Sequence, residues 1–267
     1  MKTPGFPRPP VLAYSPVVAD TLNINEIYLS LQGESTFAGL PCVFVRLTAC
    51  NLRCSYCDTA YAFTEGTPQG FDQIIGEVEK LALPYQGSHV FAGSAGRHRL
   101  PLVEFTGGEP LLQRGSALVM QQLCDKGFTV LVETSGAWDI GKLDARIRRI
   151  MDLKCPSSGE SSKNRWENLA HLRETDEVKF VIGTHEDYQW AKQAIREHRL
   201  DSVCPLLFSW VAPLNEHQRD KSLKTVPLGQ NPISRVDLVE SIVRDSLPVR
   251  FQLQMHKFIW PPDQKGV

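Results

Sequence analysis

Three cysteines fall within eight residues in "RLTACNLRCSYCDT" (46–59): Cys50, Cys54 and Cys57, spaced C-x3-C-x2-C. A disulfide would use two and leave one over. A tetrahedral zinc site needs a fourth ligand, which Cys42, Cys124, Cys155, Cys204 or a histidine would have to supply from elsewhere. Three thiolates on one short loop also suit a [4Fe–4S] cluster: they hold three irons and leave the fourth open to a small molecule. The chain has seven cysteines, an odd number, so free thiols or metal ligation fit it better than a disulfide framework. A second stretch, "TGGEP" (106–110), pairs glycines that let a ligand approach the backbone closely, although a tight turn alone would also use them.

Several other residue types stand where chemistry is expected. Arg46 ends an apolar run and needs an anionic partner, either a bound carboxylate matched to its planar fork or a structural salt bridge. Gln32 and Glu34 flank Gly33 in "SLQGES"; they are ligand-reading groups or an ordinary polar turn. Thr59 reads by itself as a loop hydroxyl that caps a backbone amide. Lys154 in "MDLK" suits an anionic group, and His256 a carboxylate partner or a satisfied edge position. Cys42, Cys124 and Cys204 lie in apolar patterns and read as buried small hydrophobes.

These residues need elements to position them. "PCVFVRL" (41–47) reads as a strand that delivers the chain into the cysteine loop. Ile74, Val78, Leu81 and Ala82 share a helical face over 71–83. "PYQGSHVFAGSAGRHRLP" reads as a surface loop. "LVEF", "FTVLVE", "RIMD", "EVKFVIG" and "SVCPLLFSWV" are further strands, with helices over 115–126, from a Thr184 cap carrying Tyr188, Ala191 and Ile195 inward, and over 234–245. "VRFQLQMHKFIW" closes the pattern as a last strand. Strands alternating with helices imply an α/β fold with a mostly parallel sheet, read here as a partial or modified (β/α)6 TIM-like barrel. In such folds the site lies at the carboxyl ends of the strands, where the cysteine loop, "TGGEP", "TSG" and "LKCPSS" all fall. The expected organisation is a loose proline-rich arm over 1–20 and a single domain over 21–267, with loop insertions near 84–100 and 155–165.

The 267 residues are 42% hydrophobic and 22% charged, ordinary for a globular chain. A net charge of −1, from 29 basic and 30 acidic residues, argues against a surface that coats nucleic acid. No apolar run reaches the length of a membrane span, and the N-terminus lacks a signal-type apolar core, so a cytoplasmic location is expected.

The cysteine triplet, with Tyr56 just before the third cysteine, followed about fifty residues later by "TGGEP", resembles the radical S-adenosylmethionine (SAM) superfamily. A narrower resemblance covers most of the chain. "INEIYLSLQGESTFAGLPCVFVRLTACNLRCSYCDTAYAF", "ETSG" (133–136) and "QMHKFIW" are similar to the 7-carboxy-7-deazaguanine synthases of deazapurine and queuosine synthesis. That resemblance implies a radical SAM barrel and a lyase that contracts the ring of 6-carboxy-5,6,7,8-tetrahydropterin with loss of ammonia. A 5′-deoxyadenosyl radical would take a hydrogen from C6, and SAM would be regenerated. It implies a [4Fe–4S] cluster on Cys50, Cys54 and Cys57, SAM, and Mg2+ on Thr59. It further implies substrate contacts at Leu31, Gln32, Gly33, Glu34, Arg46, Thr106 and His256. Its SAM contacts would be Tyr56, Cys57, Asp58, Gly107, Gly108, Glu109, Ser135, Asp152, Leu153 and Lys154. No catalytic side chain is implied, since SAM carries the radical. The expected partners are the small pterin, a low-potential electron donor of flavodoxin or ferredoxin type and a second copy in a homodimer, with no direct nucleic acid and no membrane.

Two features depart from the family pattern. The first motif reads "QGES" where the family often has "QGEG", and Ser35 lacks glycine's freedom at positive φ. The terminal "PPDQKGV" runs past the stretch where the family places its last carboxylate, so no role is expected for it. Two other readings remain: a different radical SAM enzyme such as an activase, and a non-catalytic Fe–S or zinc module. An activase would carry further ferredoxin-like cysteines, whereas the cysteines outside the triplet are scattered; a binding module would need neither "TGGEP" nor a full β/α core.

Overall fold

The computed structural model describes residues 20–91, 96–261 and 264–267. The arm expected over 1–20 lies outside these residues apart from its last position. The apolar runs form one nine-stranded sheet. Its strands are β1 (Thr21–Leu31), β2 (Pro41–Leu47), β3 (Thr67–Gly70), β6 (Leu102–Gly107), β7 (Val130–Thr134), β8 (Arg148–Asp152), β9 (Glu177–Ile182), β10 (Leu206–Trp210) and β11 (Arg250–Gln252). A separate hairpin pairs β4 (His89–Phe91) with β5 (Arg97–Arg99), in the stretch expected to be loop. The spatial order is β11-β10-β9-β8-β7-β6-β2-β1-β3, with β2 and β6 through β11 parallel, β1 reversed, and β3 antiparallel to β1 at the edge. The sheet therefore stays open between β3 and β11, as a partial barrel.

Helices cover its convex side: α1 (Phe71–Ala82), α2 (Ser116–Asp125), α3 (His185–His198) and α4 (Arg235–Arg244). On α1 the buried positions are Ile74, Ile75, Val78 and Ala82, one turn face as the spacing requires. Thr184 caps α3 in a reciprocal box with Asp187. Among the described residues no α-helix follows β7 or β8, so the β/α alternation is less regular than six full units. The segment after β8 forms three short 3-10 turns instead, at Pro156–Ser158, Ser161–Lys163 and Trp166–His171. Its serine, asparagine and glycine content favours local side-chain to backbone bonds over a helix. The last predicted strand is also cut short. Only Arg250–Gln252 pairs with β10, and His256–Ile259 turns into a short helix, α5. There Met255 N–H donates to Gly33 O at 3.3 Å, so the segment binds the "QGE" turn in place of extending the sheet.

The pleat sorts side chains with period two. Val43, Val45, Val103, Phe105, Val130, Val132, Met151, Val178 and Phe180 face the helices in the main core. Alternate positions face the concave side. At its closed end these are apolar, with Cys42, Phe44, Leu102, Leu131 and Ile150 in a second cluster. Further along the same strands they are Arg46, Glu104, Thr106, Glu133, Asp152 and Lys179, which is where the chain becomes chemical.

Candidate active site

A chamber of about 540 Å3 occupies the concave face at the carboxyl ends of the parallel strands. Cys50, Cys54 and Cys57 all line it, as do Leu31, Gln32, Gly33, Glu34, Arg46, Tyr56, Asp58, Thr59, Thr106, Gly107, Gly108, Ser135, Asp152, Lys154 and His256. Two predicted contacts do not line it. Leu153 is fully buried in the main core. Glu109 is also fully buried, and its carboxylate accepts from Leu111 N–H, Thr134 Oγ1, Ser135 N–H and Ser135 Oγ at 2.6–3.0 Å. Those four donors occupy it, so Glu109 joins the "GGEP" turn to the "ETSG" turn.

The cysteine loop leaves β2 through Ala49, which has the left-handed φ of 78° and fixes the bend before Cys50. The glycine turn packs directly on it. Glu109 N–H donates to Ala49 O at 2.9 Å, and a Cβ placed on Gly108 would sit 2.1 Å from that same oxygen. Beyond Cys50 the loop is held by the post-β8 turns: Arg53 N–H donates to Glu160 Oε1 at 2.7 Å and Ser55 Oγ to Ser157 O at 2.7 Å. Asp58 is tied from the far side. Lys257 Nζ and Gln254 Nε2 donate to its Oδ2 at 2.6 and 2.9 Å, and Thr59 Oγ1 donates to its Oδ1 at 2.9 Å. Burial alone would push the Asp58 carboxyl up; the Lys257 ammonium and these hydrogen bonds outweigh it and hold it below the usual carboxylate range.

The three thiols are free, and none of the other four cysteines lines the chamber. Burial pushes Cys54 up to about 11 and Cys57 up to about 12. Iron ligation needs thiolates, so loading a cluster works against that push and releases protons. Among the described residues no three His, Cys, Asp or Glu side chains converge as one bound ion would require. Two buried polar atoms, Tyr56 Oη and Asp152 Oδ1, have no hydrogen-bond partner. Both belong to chamber-lining residues beside the cysteines, and such atoms mark where a polar ligand completes the wall. The donor set, the close glycine backbone and these two atoms fit a three-cysteine cluster with SAM at its open iron.

Other predicted residues have partners that their sequence did not show. Arg46 Nε pairs with Glu26 Oε1 at 2.7 Å and Nη2 with Tyr28 Oη at 2.9 Å, so the structural salt bridge exists alongside a chamber-facing position. Gln32 is almost wholly used by the fold: its Oε1 accepts from Glu34 and Ser35 N–H, and its Nε2 donates to Glu104 Oε2 at 3.1 Å. Ser35 is accommodated in that turn by donating no strain, since its φ is not in the left-handed region. Lys154 Nζ meets Asp152 Oδ2 at 2.6 Å. Cys155 is fully buried in the core.

Several chamber residues were missed: Glu104, Glu133, Lys179, Gln254, Lys257 and the stretch from Gln264 to Val267. Lys179 is 4% exposed and donates to Glu34 Oε2 and Glu133 Oε1, each at 2.7 Å. A charge inside an otherwise apolar strand ("LVEF", "VLVE", "EVKFV") was the available signal. The last four residues carry no such signal.

A partial parallel barrel with the cysteine triplet and the "TGG" turn meeting in one carboxyl-end chamber defines a radical SAM enzyme. The comparisons narrow this. No protein-family model matches the sequence. The chain is 42% identical to the 7-carboxy-7-deazaguanine synthase of Koribacter versatilis (strain Ellin345), over 92% of this chain and 100% of that protein. It is 40% identical to the protein of the same name from Chlorobaculum tepidum, over 92% and 97%. In structure it is similar to QueE from Escherichia coli, with a TM-score of 0.61 and 19% identity over 88% of this chain and 95% of that one. The chain belongs to the 7-carboxy-7-deazaguanine synthase family.

Proposed function

We propose that this chain contracts the ring of 6-carboxy-5,6,7,8-tetrahydropterin to give 7-carboxy-7-deazaguanine and ammonia. The observation that carries this reading is the identity of 42% across the full length of a named synthase. When bound, the [4Fe–4S] cluster and SAM would supply the radical chemistry for hydrogen abstraction from the pterin. The chain's own residues bind, orient and screen. Cys50, Cys54 and Cys57 hold the cluster. The backbone at Gly107 and Gly108, with Tyr56, Asp58, Ser135, Asp152 and Lys154, would hold SAM. Arg46 offers its remaining guanidinium N–H groups to the substrate carboxylate, while Gly33, Glu34, Thr106 and His256 surround the ring. The chamber walls exclude water from the reacting centre.

Mg2+ is read onto Thr59. Its hydroxyl proton goes to Asp58, which leaves the oxygen lone pairs turned to a hard ion. The electron donor is read as a low-potential flavodoxin or ferredoxin, the assembly as a homodimer and the location as cytoplasmic. Among the described residues no helix is long and apolar enough to cross a membrane. The test is anaerobic incubation of reconstituted protein with reductant, SAM and the carboxypterin, with and without Mg2+. Mass spectrometry should find the deazapurine and one ammonia per turnover. A Thr59→Val protein should lose most of the Mg2+ response and keep its iron. Consumption of SAM without deazapurine would sink the assignment.

A further inference from the structure

Resting on that substrate reading, we propose that Glu104 is a specificity-determining residue that recognises the pterin's lactam edge as a neutral acid. The lactam presents a ring N–H beside a carbonyl. A protonated carboxyl presents the complement, one carbonyl acceptor beside one O–H donor, whereas a carboxylate presents two acceptors and repels the ring carbonyl.

The floor of the chamber supplies the geometry. Glu104 is 1% exposed and lines the chamber from the middle of β6. Its Oε2 accepts from Gln32 Nε2, and among the described residues its Oε1 has no hydrogen-bond partner. That oxygen opens onto the chamber, where a bound ligand can meet it. The charges around it decide its protonation. Glu34, Glu133 and Glu104 surround Lys179, which is committed to the first two, and His256 adds positive charge beside Glu34. Tyr28 and the Cys42 thiol are the other titratable groups facing Glu104, and neither offers a positive charge. Burial first, and then the Glu133 carboxylate, push Glu104 up to about 8. With Lys179 paired to Glu34 and Glu133, and His256 beside Glu34, an ionised Glu104 would be a buried negative charge with no ion-pair partner. With the proton on Oε1, the oxygen facing the chamber donates, and the second lone pair of Oε2 accepts.

Glutamine is the discriminating replacement, since its amide also sets one donor beside one acceptor. The probe is oxidised 6-carboxypterin, which binds without turning over, titrated calorimetrically into cluster-loaded wild type, Glu104→Gln and Glu104→Leu. Near pH 6, E104Q should bind within about threefold of wild type, and E104L roughly tenfold or more weakly, the scale of one unmade buried hydrogen bond. As pH rises past 8, wild type should weaken relative to E104Q. The ligand's own titration is common to both proteins, so the difference between the curves reports Glu104. E104Q as weak as E104L would overturn the neutral-acid reading, as would curves for E104Q and wild type that stay parallel. Should E104L fail to fold, the comparison of wild type with E104Q decides alone. Wild type that binds no carboxypterin at any pH would instead overturn the substrate reading on which this inference rests.

Discussion

Lys257 Nζ lies 2.6 Å from Asp58 Oδ2 and so fastens the short helix α5 to the residue that follows the third cysteine of the loop. Gln254 reinforces the link by donating to both Asp58 and Glu34. The post-β11 segment thus straps the cysteine loop to the "QGE" turn across the chamber. Lys257→Met should raise the KM for the pterin with the iron content unchanged. In a double-mutant cycle with Asp58→Asn the pair should show a coupling of about 1–2 kcal/mol, within the range for residues in direct contact. Additive losses would mean that the strap does not act through this pair.

Replacing Cys50, Cys54 or Cys57 singly by alanine should abolish turnover and the cluster's visible absorbance, because three-point ligation is lost. Cys204→Ala should keep both, since that thiol is buried in the core away from the chamber. Iron analysis of the four proteins decides between them. Full iron in Cys54→Ala would remove the assignment.

Gly108→Ala should fail where Gly76→Ala succeeds. The new methyl at 108 would meet Ala49 O at 2.1 Å and Cys50 Cβ at 2.9 Å, and a backbone oxygen cannot rotate away. SAM binding by equilibrium dialysis should be lost and the unfolding midpoint should fall. At Gly76, within α1, nothing lies within 4 Å. There alanine should stabilise by about 0.5–1 kcal/mol through helix propensity. An unchanged SAM affinity in Gly108→Ala would show that the turn can move.

Glu104 should also mark the pH dependence of stability. Its folded value of about 8 stands above the ordinary glutamate value of 4.5. Between those values the unfolded chain gives up the proton that the folded chain keeps. The native state then binds more protons, so this residue's contribution falls as pH rises through that window and levels off above it. Urea unfolding should show E104Q gaining on wild type from about pH 4.5 to about pH 8, with no further gain beyond. A constant difference across that range would place Glu104 ionised in the folded protein.

What the sequence determined by itself was the chemistry carried by local spacing. C-x3-C-x2-C needs only one short loop to gather its thiols. "TGGEP" needs only the next strand to reach it, and period-two apolar runs separated by helices imply a parallel sheet whatever the details. The tertiary structure decided which polar groups are spent on the fold and which are left for a ligand. Gln32 and Glu109 look like ligand-reading residues in sequence, yet their side chains are taken up by neighbouring turns. Glu104, Glu133 and Lys179 look like single charges within strands, yet parallel pairing sets them on one concave face, where Lys179 reaches Glu133 across β8. The strap from Gln254 and Lys257 spans about two hundred residues of sequence to reach Asp58. Hydrogen bonding and ion pairing depend on distances of about 3 Å between groups remote in the chain, and spacing along a sequence specifies such distances only within one turn or one strand pair.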